Sequence, residues 1–136
     1  MSPLPDWYRR MFFSGQDRGL WDILPWASRL GYYRGITLYG AIVEGEVWNQ
    51  DVITIPSGKT FYLVLFVIGS RDDTAVYWVD LKDVSGPHYF EDNVKQGVVV
   101  PYPVPIPIPG GRTLTLFTYG YNVTTDYYAT IIGFLY

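Results

Sequence analysis

Residues 35–136 alternate between short runs of strand-forming side chains and clusters of turn-forming residues. The runs fall at 35–43, 46–55, 60–69, 74–81, 87–91, 97–108, 112–120 and 126–136. Glycine, proline, serine and aspartate separate them, as expected between strands. Short strands at intervals of about ten residues are typical of a sandwich or barrel, and eight strands fit a jelly roll. The pattern predicts an all-β fold: an eight-stranded antiparallel β-sandwich, jelly-roll-like.

Two of these runs carry more apolar side chains than one core can use. In run 60–68 both the even and the odd positions are apolar, and the same holds for run 126–136. In a two-layer sandwich only one face of each strand meets the core. The other face must therefore be covered by the N-terminal segment or by another subunit. We predict that an oligomer interface includes Tyr62, Val64, Phe66, Tyr128, Ile132 and Phe134.

Residues 101–109 carry a proline at every second position. Alternate residues of a strand point their N–H groups to opposite edges, so prolines in this phase remove donors from one edge only. Such a segment can form the edge strand of a sheet. The alternative is an extended polyproline segment that crosses the surface. The apolar residues between the prolines need a surface to bury against, which favours the edge strand.

Residues 1–34 show no β alternation and predict an extended N-terminal arm with short helical turns, followed by the sandwich domain at 35–136. The arm mixes aromatic anchors with arginines, the residue types that dominate interface energetics. Docking on a partner, docking on its own sandwich and lying on a membrane surface are the three alternatives. The first adds these residues to the predicted oligomer interface: Trp7, Arg10, Phe12, Phe13, Trp21, Trp26 and Tyr32.

Charge and composition limit the classes of partner that the chain can bind. Apolar residues make up 49% of the chain and charged residues 17%, which excludes a disordered tail. The net charge is −3, and residues 35–136 hold five basic against ten acidic side chains. Because nucleic-acid binding needs clustered lysine and arginine, we expect no nucleic-acid partner. The longest apolar run, 61–68, is too short for a membrane-spanning helix, and no signal peptide is visible.

The chain offers little for catalysis. It has no cysteine and one histidine, His88. Glu44 and Glu46, predicted to share a strand face, are the best-placed carboxylate pair for a glycosidase. Acidic residues are more often solvated than catalytic, so we expect no enzyme, no metal site and no cofactor. Four aromatic residues could instead stack on a sugar or another ligand: Trp48, Trp78, Tyr119 and Tyr121.

The body resembles the small jelly-roll structural proteins of virus and phage particles. The resemblance rests on residues 53–60, residues 110–114 with the proline-rich approach to them, and residues 127–134. It implies a capsid, decoration or other particle subunit, located in the virion, whose arm reaches a neighbouring copy. The implied partners are the chain itself and other particle subunits. The alternatives are a carbohydrate- or receptor-binding module in the cytoplasm or outside the cell, and, less favoured, the glycosidase.

Overall fold

A computed structural model describes residues 32–136 of the chain, and this part is an all-β sandwich. Its eight strands are β1 (Tyr33–Ile42), β2 (Val47–Thr54), β3 (Thr60–Ser70), β4 (Val76–Asp83), β5 (His88–Lys95), β6 (Gly97–Pro109), β7 (Thr113–Gly120) and β8 (Thr125–Leu135). The predicted β-sandwich is confirmed, and each predicted run overlaps one strand, although the bounds differ, as in β5, which was predicted at 87–91. Within residues 32–136 there is no helix long and apolar enough to cross a membrane.

The strands form two four-stranded sheets, with the orders β1-β8-β3-β6 and β2-β7-β4-β5. All neighbours are antiparallel. The first strand pairs with the last, the second with the seventh, the third with the sixth and the fourth with the fifth. This is the pairing of one long hairpin rolled up on itself, which is the topology of a jelly roll.

The core lies between the sheets and takes one face of each central strand. In β8 it takes Tyr127, Ala129 and Ile131, the set predicted from the odd positions, and all are at most 1% exposed. In β4 it takes Tyr77, Val79 and Leu81. β-Branched and aromatic side chains fill a pleated, half-buried surface well, so these stretches form strands.

A tight turn joins β2 to β3. The Lys59 N–H donates a hydrogen bond to the Pro56 carbonyl, so Pro56 is the first residue of the turn. Gly58 follows at the third position with φ of +81°, which is the geometry of a type II turn.

The proline-rich segment is an edge strand, as favoured over the polyproline alternative. β6 pairs with β3 and has no other strand beside it in the described sheet. Its register shifts between Leu63 and Leu65 of β3, where the pairing passes from Ile106 to Pro101. Pro101, Pro107 and Pro109 are paired with β3, whereas Pro103 and Pro105 lie in the irregular stretch, so the prolines do not form one continuous series.

Candidate functional site

One outer face of the sandwich, on the β1-β8-β3-β6 sheet, has no charged side chain among the described residues at its centre. It is here called the uncharged face. By strand register it consists of Thr37, Tyr39, Leu65, Val67, Val99, Pro101, Tyr128, Thr130 and Ile132. It bears no charged side chain among these described positions, and Arg71 and Asp126 border it at one end, 3.8 Å apart.

Several side chains of the uncharged face are well exposed. Tyr39 is 68% exposed and Val99 63%, while Leu65, Val67 and Ile132 are half-buried. Tyr39 and Tyr128 are directly opposite each other on β1 and β8 and their rings meet edge to face, with centroids 5.2 Å apart. The face is thus aromatic and aliphatic at its centre and ionic at its border.

The structure corrects the predicted face of Phe66. A bulge at Val64 breaks the register of β3 against both β6 and β8. An extra residue reverses which side chains point outward. Tyr62 therefore keeps its outward direction, but beyond the bulge Leu65 and Val67 face outward and Phe66 is fully buried in the core.

The remaining predicted interface residues divide into two groups. Phe134 shares the outward phase with Tyr62, its direct partner on β3, but it is fully buried and Tyr33 packs against it. Tyr32 meets Tyr136 edge to face at 5.0 Å. The arm positions outside the described residues are Trp7, Arg10, Phe12, Phe13, Trp21 and Trp26, so their interface role stays a prediction.

Three of the four predicted stacking residues come together on the other sheet. Trp78 of β4 is directly opposite Tyr119 of β7, and Tyr121 meets Tyr119 edge to face with centroids 5.4 Å apart. We call Trp78, Tyr119 and Tyr121 the aromatic row. The Tyr121 hydroxyl donates to Asn93 Oδ1 at 2.8 Å, and Trp78 Nε1 donates to Glu91 Oε2 at 3.2 Å. Aromatic surface thus lies beside fixed polar groups.

Trp48 lies apart from the aromatic row. Its ring packs edge to face on Tyr127, with centroids 5.9 Å apart, at one end of the sandwich. It lines a shallow pocket of about 360 Å³ together with Tyr39, Arg71 and Tyr128. Trp48 is paired with the buried Thr118, so it points to the opposite face of its sheet from the aromatic row.

A cluster of ionisable groups lies next to the aromatic row. Asp80 of β4 is directly opposite Glu91 of β5. His88 Nδ1 lies 2.8 and 2.9 Å from the two carboxylate oxygens of Asp80 and 3.7 Å from Glu91 Oε1. Asp80 is only 1% exposed, and burial raises the pKa of its carboxyl, while the hydrogen bond from His88 acts in the opposite direction.

A second bulge creates this cluster. Residues three apart on a regular strand point to opposite faces. The register between β4 and β5 shifts so that Leu81 pairs with Phe90 but Lys82 pairs with His88, which leaves Tyr89 as the extra residue. His88 and Glu91 consequently share one face. Sequence reasoning missed the cluster because alternation alone separates these residues.

Glu44 and Glu46, the carboxylate pair considered for a glycosidase, do not lie on one strand as predicted. Glu44 and Glu46 flank Gly45, whose φ of +76° makes a turn between β1 and β2. The Glu46 N–H donates to the Val43 carbonyl across this turn. Because this turn separates them, the two exposed glutamates do not occupy one face of a regular strand.

Comparisons with known proteins include a distant structural likeness. No protein-family model matches the chain, and no curated protein is similar to it in sequence. A solved structure of infectious bursal disease virus, Gx strain, is similar over 76% of this chain, with 11% identity and a TM-score of 0.39. The match spans 31% of that longer chain. At this identity and TM-score the likeness shows neither a shared family nor a shared function.

Proposed function

We propose that the chain is a non-enzymatic structural subunit of a virus or phage particle that assembles with copies of itself. The observation that carries the proposal is the uncharged face. Its residues lie outside a sandwich whose core is already filled, so they are not needed to close the fold. Antiparallel sheets with one solvated face normally carry polar side chains there.

The chemistry of the uncharged face suits a stable contact between subunits. Tyr39, Val99 and Tyr128 present apolar and aromatic surface to solvent. Burying apolar surface stabilises a complex by roughly 25 cal/mol per Å², and a standard interface covers about 800 Å² on each partner. The border formed by Arg71 and Asp126 matches the polar rim that surrounds the apolar centre of such interfaces.

The edges of the sheet favour contact through faces. β6 closes one side of the β1-β8-β3-β6 sheet and contains five prolines. A proline cannot donate to a strand ladder, so another strand adds poorly at this edge. We therefore expect subunits to pack through the uncharged face and not by strand addition at β6, with the arm of residues 1–34 reaching a neighbour and other particle subunits as further partners.

The jelly-roll topology is compatible with this proposal, but only as a fold class. Viral capsid domains use the fold, but so do lectin domains and cupins. Function therefore has to be argued from the surface and not from the fold. Location in a virion is part of the same proposal.

The test is the oligomeric state of the full chain by multi-angle light scattering across a concentration series. We expect assembly that Val67→Lys and Val99→Lys abolish, because each places a charge within the buried contact. Thr113→Lys, on the outer face of the other sheet, is the matched control and should assemble normally. A full-length protein that stays monomeric at every concentration would overturn the proposal.

The arm is tested separately with tryptophan variants of the full chain. If the arm connects subunits, Trp21→Ala weakens assembly more than Trp78→Ala, since Trp78 lies on the opposite sheet. The reverse order would show that the arm is not the connector.

A second candidate function is carbohydrate or receptor binding through the aromatic row. The observation in its favour is the adjacency of Trp78, Tyr119 and Tyr121 with Asn93 and Glu91 as polar partners. Aromatic faces stack on apolar ligand surfaces while fixed polar groups set orientation. A glycan array probed with the full chain tests it: Tyr119→Ala should lose binding, and Tyr39→Ala, an exposed tyrosine on the other sheet, should keep it.

A further inference from the structure

Three potential metal ligands converge on the outer face of the β2-β7-β4-β5 sheet. Asp80, His88 and Glu91 each offer one ligand atom, and these atoms all lie within 4.8 Å of one another. We propose that this cluster binds a divalent transition-metal ion of the zinc class. The site is independent of the uncharged face and goes beyond the structural role proposed above.

The donor count around Asp80 is the first argument. Asp80 is almost completely buried, yet both of its carboxylate oxygens accept from the same atom, His88 Nδ1. One ring nitrogen carries at most one proton, so the two oxygens share a single donor. A buried carboxylate with so few donors is costly, and buried charges are normally paired or coordinated to metals.

The pairing of the two acids is the second argument. Asp80 and Glu91 face each other directly across β4 and β5. Like charges directly opposite one another destabilise a strand pair. The bulge at Tyr89 adds His88 to the same face, and bulges of this kind often re-aim a side chain beside a functional site. A cation between the carboxylates would turn this repulsion into attraction.

The distances are compatible with shared coordination. Zinc binds histidine nitrogen and carboxylate oxygen at about 2.0–2.2 Å, so two ligands of one tetrahedral ion lie roughly 3.3–3.6 Å apart. The separations of His88 Nδ1 from Asp80 and Glu91 oxygens, 2.8 and 3.7 Å, bracket that range. Small rotations of the half-exposed His88 and Glu91 side chains would equalise them.

The ligand set selects the class of metal. An imidazole nitrogen with carboxylate oxygens suits zinc, manganese, cobalt or nickel, whereas magnesium and calcium prefer oxygen alone. Trp78 Nε1 holds Glu91 through its Oε2, which leaves Oε1 directed at the cluster. Such outer hydrogen bonds commonly orient metal ligands. Solvent reaches His88 and Glu91, so water can complete the coordination.

One cation opposes metal binding. Lys82 is paired with His88 across the strands, and its Nζ lies 5.3 Å from the centre of the Phe117 ring. The ammonium therefore has an aromatic partner of its own, although its charge lowers the affinity of the site. Lys82→Met should accordingly strengthen metal binding severalfold, and weaker binding by this variant would contradict the site.

The experiment is titration of the untagged full chain with Zn²⁺ by isothermal calorimetry at pH 7.5, and with Co²⁺ followed by visible absorption. We expect one ion bound per chain. The histidine resonances in the NMR spectrum give a second readout, because the sequence contains one histidine and no cysteine. The signals of His88 should shift or broaden on addition of metal.

Three variants test whether the cluster is the metal site, and each is checked for folding by circular dichroism. His88→Ala and Glu91→Gln should each weaken Zn²⁺ binding by roughly tenfold or more. Asp92→Asn, which removes the neighbouring acid outside the cluster, should bind as the wild type does. Absence of binding at millimolar Zn²⁺, or binding that survives His88→Ala, would overturn the proposal.

Discussion

Arg112 Nη1 donates a hydrogen bond to Asp83 Oδ2 over 2.6 Å, joining the start of β7 to the end of β4. The Asp83 carboxylate is buried and also accepts from Ser85, whereas Arg112 is 42% exposed. Removing the guanidinium would leave a buried charge with fewer donors. This ion pair therefore differs from the exposed pair of Arg71 and Asp126.

We expect Arg112→Ala to lower the free energy of unfolding by about 1–2 kcal/mol at pH 7. Urea denaturation measures the change. Arg71→Ala is the matched control, because both members of its ion pair are more than 60% exposed, and it should cost less than about 0.5 kcal/mol. Equal effects of the two variants would contradict the burial argument.

The same ion pair predicts a pH dependence. The hydrogen bond from Arg112 holds the pKa of Asp83 below its ordinary value. A depressed pKa contributes stability above the pKa of the unfolded state, and that contribution is lost as pH falls through the folded value. The stability difference between wild type and Arg112→Ala should therefore shrink below about pH 4. A difference that grew on acidification would have the wrong sign.

Three tyrosines, two fully buried and one half-buried, predict a loss of stability at alkaline pH. Burial raises the pKa of Tyr77, Tyr102 and Tyr127 to about 12 in each case. The folded state thus retains protons that the unfolded chain releases near pH 10, so stability is present below pH 10 and lost as pH rises towards 12. Absorbance titration should show a late-ionising group of tyrosines.

A phenylalanine substitution separates the two roles of Tyr127. Its hydroxyl accepts a hydrogen bond from Gln50 Nε2 at 2.5 Å. Tyr127→Phe should cost about 1 kcal/mol at pH 7 through loss of this bond, yet lose less stability than the wild type between pH 10 and 12. Equal alkaline losses would show that Tyr127 does not titrate late.

The bulge at Val64 is tested by a core substitution. Phe66→Ala should lower the free energy of unfolding by about 3–5 kcal/mol, because Phe66 is fully buried between the sheets. Val99→Ala, on the uncharged face, should change it by less than about 0.5 kcal/mol in the monomer. If Phe66→Ala were as mild as Val99→Ala, Phe66 would face outward and the register would be wrong.

Two strand glycines should respond in opposite ways to alanine. A Cβ at Gly133 would lie 2.6 Å from the Tyr62 carbonyl oxygen and would overlap the Phe61 ring, whereas a Cβ at Gly69 meets no heavy atom within 4 Å. Gly133→Ala should destabilise the fold by roughly 1–3 kcal/mol. Gly69→Ala should be neutral or slightly stabilising. Thermal denaturation ranks the two variants.

Sequence pattern predicted the strands well and their faces less well. Alternation and turn residues located all eight strands of residues 32–136, because strand propensity and turn chemistry are local. Face assignment fails at bulges, where one extra residue reverses the phase of all that follow. The bulge at Val64 places Phe66 in the core, and the bulge at Tyr89 places His88 beside Glu91. Whether a strand has a bulge depends on its partner, which alternation along one strand does not reveal.

The place of β8 in its sheet has a consequence for folding kinetics. β8 is the last strand of the described residues, yet it lies between β1 and β3, so Tyr33 pairs with Phe134 near the other end of residues 32–136. Pairing over such long sequence separations slows folding. During synthesis the earlier strands emerge with their apolar sides uncovered, a state prone to aggregation. The β1-β8-β3-β6 sheet can therefore form completely only after β8 has been synthesised, and we expect it to fold more slowly than a sheet of locally paired strands.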